Sequence, residues 1–205
     1  GGIDAAQKLA LLVAIAFGTR VDFGGIAVEG IERVSLADIE HAAELGYRIK
    51  LLGVAQPTAS GLEARMQPCL GSPVGQLEGV TNMVVLEGDF VGRIVLSGLG
   101  AGAGATASAI VGDVIDIARG LVIPAFGRPA ASLAAPVRAA DGAAAAYYLR
   151  FLLADAPGTL AQVAAALGAA GISINRMRQV EHAGEDAPVL IVTHVTDRPP
   201  LDAAL

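Results

Sequence analysis

The sequence predicts an α/β (α+β) chain: a mixed or largely antiparallel sheet packed with helices, followed by a smaller unit of β-α-β-β-α order. Three observations lead there. Of the 205 residues, 54% are hydrophobic and only 4% aromatic, so there is material for a core built mainly from Ala, Val, Leu and Ile. Helix-patterned and strand-patterned segments alternate from Asp4 to Arg119. A Pro- and Ala-rich stretch, 128–146, then separates a second set of elements with its own pattern.

The elements follow in order. Asp4–Phe17 reads as a helix of good helix formers, with Gly18 as its stop. It is apolar nearly all round beyond Lys8, which predicts that it is buried. Leu36–Leu45 reads as a helix with Ser35 as N-cap and Gly46 as terminator. Tyr47–Ala55 and Gly61–Cys69 read as neighbouring strands, and Pro68 marks an edge or an exit. Thr81–Leu86 and Val91–Leu96 flank Glu87-Gly88-Asp89 and predict a hairpin. The glycine-rich run Ser97–Gly104 leads into a helix over Thr106–Arg119, closed by Gly120.

Residues 128–146, with Pro129, Pro136 and Gly142, read as a loosely packed linker. Tyr147–Leu153 is a strand, Asp155-Ala-Pro-Gly158 a turn, and Thr159–Ala170 a helix stopped by Gly171. Ile172–Val180 and Val189–Val195 are strands, and a helix begins near Leu201. This is a ferredoxin-like order lacking its last strand, so the unit reads as truncated or completed by a partner.

Charge and cysteine usage narrow the function classes. Fourteen Lys and Arg against 20 Asp and Glu give a net charge of −6, with no long basic run, which argues against a nucleic-acid partner. The apolar runs Leu9–Phe17 and Ala101–Ile110 are too short to span a bilayer, so no membrane partner is expected. The single cysteine, Cys69, excludes an internal disulfide and a thiolate zinc cluster, and suits a reducing, cytoplasmic compartment. With no His nearby in sequence, Cys69 reads as a structural thiol. His41, His182 and His194 lack metal-ligand spacing, so no metal is expected. The chain opens on Gly1-Gly2-Ile3-Asp4 without Met or a signal pattern, which reads as a fragment or a processed product.

Three places carry candidate chemistry. Asp4 and Lys8 are spaced i,i+4. They form either a surface ion pair worth about 0.3–0.5 kcal/mol or a carboxylate–ammonium pair facing a polar substrate. The run around Gly98, Gly100 and Gly102, with Thr106 beyond it, permits close backbone approach before a helix N-terminus. It serves either a ligand or cofactor edge or a tight helix–sheet crossing with no ligand. It is not a P-loop, since no Gly-Lys-Ser/Thr follows. Asp155, Pro157 and Gly158 form a turn that either simply starts a helix or binds a small amphoteric ligand, with Asn175 close by if the strands pair as expected.

Four segments resemble the homoserine dehydrogenase family. They are Gly2-Ile-Asp-Ala-Ala-Gln-Lys8, Gly46-Tyr-Arg-Ile-Lys-Leu-Leu-Gly53, Glu87-Gly-Asp-Phe-Val-Gly92, and the run from Gly98 through Thr106 to Asp113. The resemblance covers about residues 1–127 and implies the family's catalytic and dimerisation domain. Residues 147–205, marked by Asp155-Ala-Pro-Gly-Thr-Leu160, resemble an ACT regulatory domain, incomplete here. The family's N-terminal nucleotide-binding domain is not in this sequence, so the fragment is expected to be inactive alone.

The resemblance implies reversible reduction of L-aspartate 4-semialdehyde to L-homoserine with NAD or NADP, on the route to threonine, isoleucine and methionine. It implies that Lys8 is the catalytic lysine and Asp4 its partner. It places Gly98, Gly100, Gly102 and Thr106 at the nicotinamide, with Leu99 where the family commonly has Pro. It also implies a homodimer or higher homo-oligomer and an amino-acid effector such as L-threonine. A non-catalytic amino-acid-binding regulator or a dimerisation module are the alternatives. Neither has a physical need for Asp4, Lys8 and the glycine run together.

Overall fold

The computed structural model describes residues 2–70, 81–139, 142–180, 184 and 186–205. The chain forms two compact units. Residues 1–54 and 64–136 make one, and residues 55–63 and 137–205 make the other.

In the N-terminal unit, helix α1 (Ile3–Phe17) ends at Gly18, whose φ of 65° is the left-handed stop that glycine supplies. Its buried stripe is Ala6, Leu9, Ala10 and Ala14. The other faces are not buried: Leu11, Leu12, Ile15 and Phe17 are exposed. The expectation of an all-round buried helix is therefore corrected. An apolar circumference does not say which stripe packs, and here the alanine stripe packs because it allows the closest approach.

A basic group for the C-terminal end of α1 comes from far along the chain. The Arg128 guanidinium lies over Gly18, so close that a Cβ there would be 2.8 Å from it. Such a charge favours the unpaired carbonyls of a helix end. Nearby, Ala134 N–H donates to Gly18 C=O and Arg20 N–H donates to Ala134 C=O.

Helix α2 (Leu36–Glu44) starts with a capping box. The Asp38 N–H donates to Ser35 Oγ at 3.2 Å, and Ser35 N–H donates to the Asp38 carboxylate at 2.8 Å. Asp38 is buried, and this reciprocal bonding answers its burial.

Strands β1 (Ala27–Val28), β2 (Ile49–Thr58) and β3 (Gly61–Leu70) form a sheet in the order β1-β3-β2. The two-residue strand β1 pairs in parallel with Arg65 and Met66. It has no signal of its own in the sequence. The β1 ladder stops at Met66, two residues before Pro68, which fits Pro68 as an exit from pairing on that side. Strands β4 (Thr81–Gly88) and β5 (Gly92–Leu99) form a separate antiparallel hairpin with Gly88 opposite Gly92. Helix α3 (Ala103–Ala118) follows and buries none of its residues.

The C-terminal unit contains β6 (Tyr148–Ala154), α4 (Thr159–Ala169), β7 (Ile174–Gln179), β8 (Asp186–Thr193) and α5 (Arg198–Ala204). The antiparallel sheet has the order β6-β8-β7. Its core joins Leu149, Val189 and Ile191 from the sheet to Leu167, Ile172 and Leu201 from the helical side. This is the predicted β-α-β-β-α order.

The stretch 128–146, expected from its composition to be a loosely packed linker, is mostly exposed among its described residues, with Leu133 buried. The boundary between the units falls inside it, after Pro136. Residues on both sides of that boundary are hydrogen-bonded to elements of their own unit.

Replacing Ser35 by Ala removes the N-cap acceptor and leaves the buried Asp38 carboxylate with fewer donors. A loss of about 1–2 kcal/mol is expected, read as a lower urea midpoint at constant slope. An unchanged midpoint would remove the capping box from the account of this unit.

Candidate functional site

Helix α1 places Asp4 and Lys8 one turn apart at its start. Lys8 Nζ donates to Asp4 Oδ2 at 2.9 Å. The side chains are 63% and 82% exposed. A pair so open to water contributes little to folding, so the stability of the helix does not depend on it. The buried stripe that starts at Ala6 and Leu9 holds this part of the helix to the fold.

The glycine run divides into three structural roles. Gly98 belongs to β5, opposite Asn82, so the strand runs three residues beyond its expected end at Leu96. Gly100 lies against the Asn82 side chain. A Cβ on Gly100 would overlap Asn82 Nδ2, so any larger residue must displace that carboxamide. Gly102 is the residue before α3, at φ 112°, and no side chain caps the helix there. Around Gly98, Gly102 and Gly104 a Cβ would meet nothing within 4 Å. The open backbone therefore faces outward, where an external group could approach.

The helix begins at Ala103 rather than near Thr106. Thr106 N–H is consequently already used, donating to Gly102 C=O at 3.0 Å. The uncapped N–H groups belong to the residues just before it. Thr106 itself is exposed in the first turn.

In the C-terminal unit, Gly158 holds φ 93° and leads into α4. Thr159 Oγ1 donates to Ala156 C=O at 3.1 Å, and Ala156 N–H donates to Ala154 C=O at 2.8 Å. Asp155, Pro157 and Gly158 are exposed. Asn175 is exposed on β7, at an irregularity in its pairing with β8.

The expected closeness of Asn175 to this turn does not hold within one chain. β6 and β7 both run antiparallel to β8 and lie on opposite sides of it. Ala154 faces Asp186, whereas Ile174 faces Thr193. The turn and Asn175 thus sit at opposite ends of β8, roughly 20 Å apart at ~3.3 Å per residue. The expectation took strands adjacent in sequence as adjacent in the sheet, and the crossover through α4 prevents that.

Cys69 is half-buried, and burial pushes its thiol above the usual range, against smaller opposing effects of Gln67 and Arg65. That disfavours the thiolate and agrees with a structural role. Among the described residues, no group of three or more His, Cys, Asp or Glu could hold a metal ion, and no helix is long and apolar enough to cross a membrane. His182 lies outside the described residues.

Asn82 is a residue that the sequence did not single out. Its signal was its distance from the hairpin turn: counting back across the turn places it opposite the glycine run.

The chain is similar to known proteins. The homoserine dehydrogenase family model matches residues 1–115, and the ACT domain model matches residues 147–205. Homoserine dehydrogenase from Pseudomonas aeruginosa is 40% identical over 205 residues, covering 94% of this chain and 47% of the relative. That from Neisseria gonorrhoeae is 40% identical over 206 residues, covering 95% and 47%. The crystal structure of a homoserine dehydrogenase from Thiobacillus denitrificans superposes with a TM-score of 0.85 at 39% identity, covering 99% of this chain and 48% of that one. The chain spans about half the length of the curated relatives it matches. With more than half of its residues under the first family model, the chain belongs to the homoserine dehydrogenase family and carries an ACT domain.

Proposed function

We propose that this chain supplies the proton-handling pair and the cofactor-facing turn of an NAD(P)-dependent homoserine dehydrogenase, which interconverts L-aspartate 4-semialdehyde and L-homoserine. The observation that carries this is the Lys8–Asp4 pair at 2.9 Å, displayed on the first two turns of a helix within the segment matched by the family model.

Reduction of an aldehyde places negative charge on the carbonyl oxygen, and a proton must arrive there. The Lys8 ammonium is a donor suited to both tasks. Asp4 accepts from Lys8 and so limits where Nζ can point. Its remaining lone pairs are available to a hydroxyl or amino group of the substrate.

NAD(P), when bound, supplies or accepts the hydride. The residues present fit such a group on one side. Gly98, Gly102 and Gly104 leave their backbone uncovered, and the uncapped start of α3 offers N–H donors to a carbonyl or phosphate edge. Thr106 adds a hydroxyl next to them. The choice between NAD and NADP lies outside these residues. Metabolic placement in threonine, isoleucine and methionine synthesis, and a cytoplasmic location, follow from the same reading.

The C-terminal unit is the regulatory part of this proposal, with an amino acid such as L-threonine as effector. Asp155, Pro157 and Gly158 offer a polar turn at one end of its sheet. Asn175, at the other end, meets that turn only if it comes from a second copy.

A second copy is also favoured by the hairpin β4–β5 and by α3. β5 is exposed along its whole length, including Leu96 at 58% and Leu99 at 65%. α3 exposes Ile110, Val114 and Ile117. An isolated two-stranded hairpin is marginal in water, and an apolar surface of this kind marks an interface. A homodimer through this sheet supplies the cover.

Three outcomes are expected. In the full-length enzyme, Lys8→Ala lowers kcat by about 10²–10⁴ while cofactor affinity and the melting temperature hold. An unchanged kcat would remove Lys8 from the chemistry and favour a non-catalytic regulator. Gly102→Ala, forced into a backbone region costing about 1–3 kcal/mol, weakens NAD(P) binding roughly tenfold. Equal cofactor affinity in calorimetry would dissociate this turn from the cofactor. Sedimentation of the 205-residue chain at micromolar concentration gives a dimer, and a monomer alone would refute the sheet-mediated interface.

A further inference from the structure

Asn82 brings a carboxamide to the glycine turn, and the chemistry proposed above does not use it. The residue lies toward the end of the β4–β5 ladder farthest from the hairpin turn, directly opposite Gly98. Side chains alternate along a strand, so Gly98 and the position two residues on, Gly100, fall on the same face as Asn82. Neither glycine has a side chain to offer. The carboxamide takes the diagonal: the atoms nearest to where a Gly100 Cβ would stand are Asn82 Nδ2, Cγ and Oδ1.

Gly100 therefore makes room for a group of this chain itself. Gly98 and Gly102 do not, since a Cβ on either would meet nothing within 4 Å. Beside the carboxamide there is open space bordered by bare backbone. Residues 98–105 are Gly, Leu and Ala alone, so the turn has no polar side chain of its own before Thr106. Asn82 supplies one from the neighbouring strand. It is exposed, and among the described residues no hydrogen bond joins its carboxamide to the protein. Two N–H donors and a carbonyl acceptor are thus presented outward at one spot.

We propose that Asn82 is the side chain that recognises the carboxamide of the nicotinamide ring. The proposal rests on the reading of this turn as cofactor-facing. Nicotinamide carries a primary amide with the same donors and acceptor as asparagine, so the two can pair edge to edge. Asn82 Oδ1 accepts from the nicotinamide NH2, and Asn82 Nδ2 donates to the nicotinamide carbonyl oxygen. A ring held at that group resists rotation about its bond to the ribose, which keeps one face of it toward the substrate. Gly100 serves this arrangement indirectly, by letting the Asn82 carboxamide lie against the turn.

The test titrates the full-length enzyme by calorimetry with NAD or NADP, whichever binds more tightly, and with the 3-acetylpyridine analogue of the same dinucleotide. In the analogue a methyl group replaces the amide nitrogen, so the bond to Asn82 Oδ1 is lost and the bond from Nδ2 is kept. Asn82→Ala is expected to weaken the parent dinucleotide about tenfold and the analogue only about threefold. The preference for the parent therefore shrinks about threefold, a coupling that belongs to the pair of amides. Asn82→Asp keeps the shape beside Gly100 and the accepting oxygen. It binds both dinucleotides more weakly and keeps the preference. A residue that merely props the turn open would weaken both dinucleotides equally when cut to Ala. That result overturns the proposal, and so do unchanged affinities or a preference lost in Asn82→Asp.

Gly102→Ala in the same titration separates this proposal from the reading beneath it. If Gly102→Ala weakens the parent dinucleotide while Asn82→Ala leaves it unchanged, the turn faces the cofactor and the role of Asn82 alone is overturned. If neither substitution changes the affinity, both are overturned.

Discussion

The close seating of α1 on the β2–β3 hairpin is the constraint on which the rest of the N-terminal unit depends. Gly53 has no side chain where the side chains of Leu9 and Met66 meet it, and the buried stripe of α1 is otherwise alanine. Without a side chain at Gly53, Leu9 and Met66 fill that space directly, which is how an aromatic-poor chain keeps its interior filled. Once that stripe faces the sheet, the helical period decides the rest. Asp4 and Lys8 fall off the buried stripe, share one face four residues apart, and stand in water. The charged pair owes its position to the alanines and owes almost none of its geometry to its own attraction.

Much of this was legible because it is local. Ser35 ahead of Leu36 announces an N-cap, and the structure contains it, with Asp38 closing it into a capping box. The Asp4–Lys8 spacing announces an i,i+4 contact, and it forms. The C-terminal order β-α-β-β-α follows from helix and strand patterns separated by Gly171 and the Asp155–Gly158 turn. What the residues could not announce is what distant backbone supplies. β1 exists only because β3 offers it a ladder at Arg65 and Met66. Val137 and Ala139 look featureless in sequence, yet Leu62, 75 residues before Val137, gives both a hydrogen-bond partner. Asn175 was misplaced for the same reason: a crossover inserts β8 between β6 and β7, and sequence adjacency carries no information about that.

The candidate site shows a similar division. Glycines at 98, 100 and 102 suggest a need for backbone access, but the sequence does not say which glycine serves which purpose. The structure separates a strand position, a contact with Asn82 and a left-handed helix entry. Thr106 illustrates the cost of placing a helix start three residues late. A donor counted as free is the first rung of the helix ladder.

The exposure of Lys8 bears on the role proposed for it. Two unit charges 4 Å apart interact by about 1 kcal/mol in bulk water and about 4 kcal/mol at an effective dielectric near 20. An ammonium 63% open to solvent therefore stabilises a developing alkoxide only weakly. The same ammonium, covered, acts several-fold more strongly without moving. Asp4, even more exposed, gains in the same way as an orienting partner. The chemistry assigned to this turn thus requires that water be displaced when substrate and cofactor bind. Marginal stability in the exposed pair is the condition that allows it: a lysine already buried in a tight ion pair would have to give up that partner before it could serve a new anion.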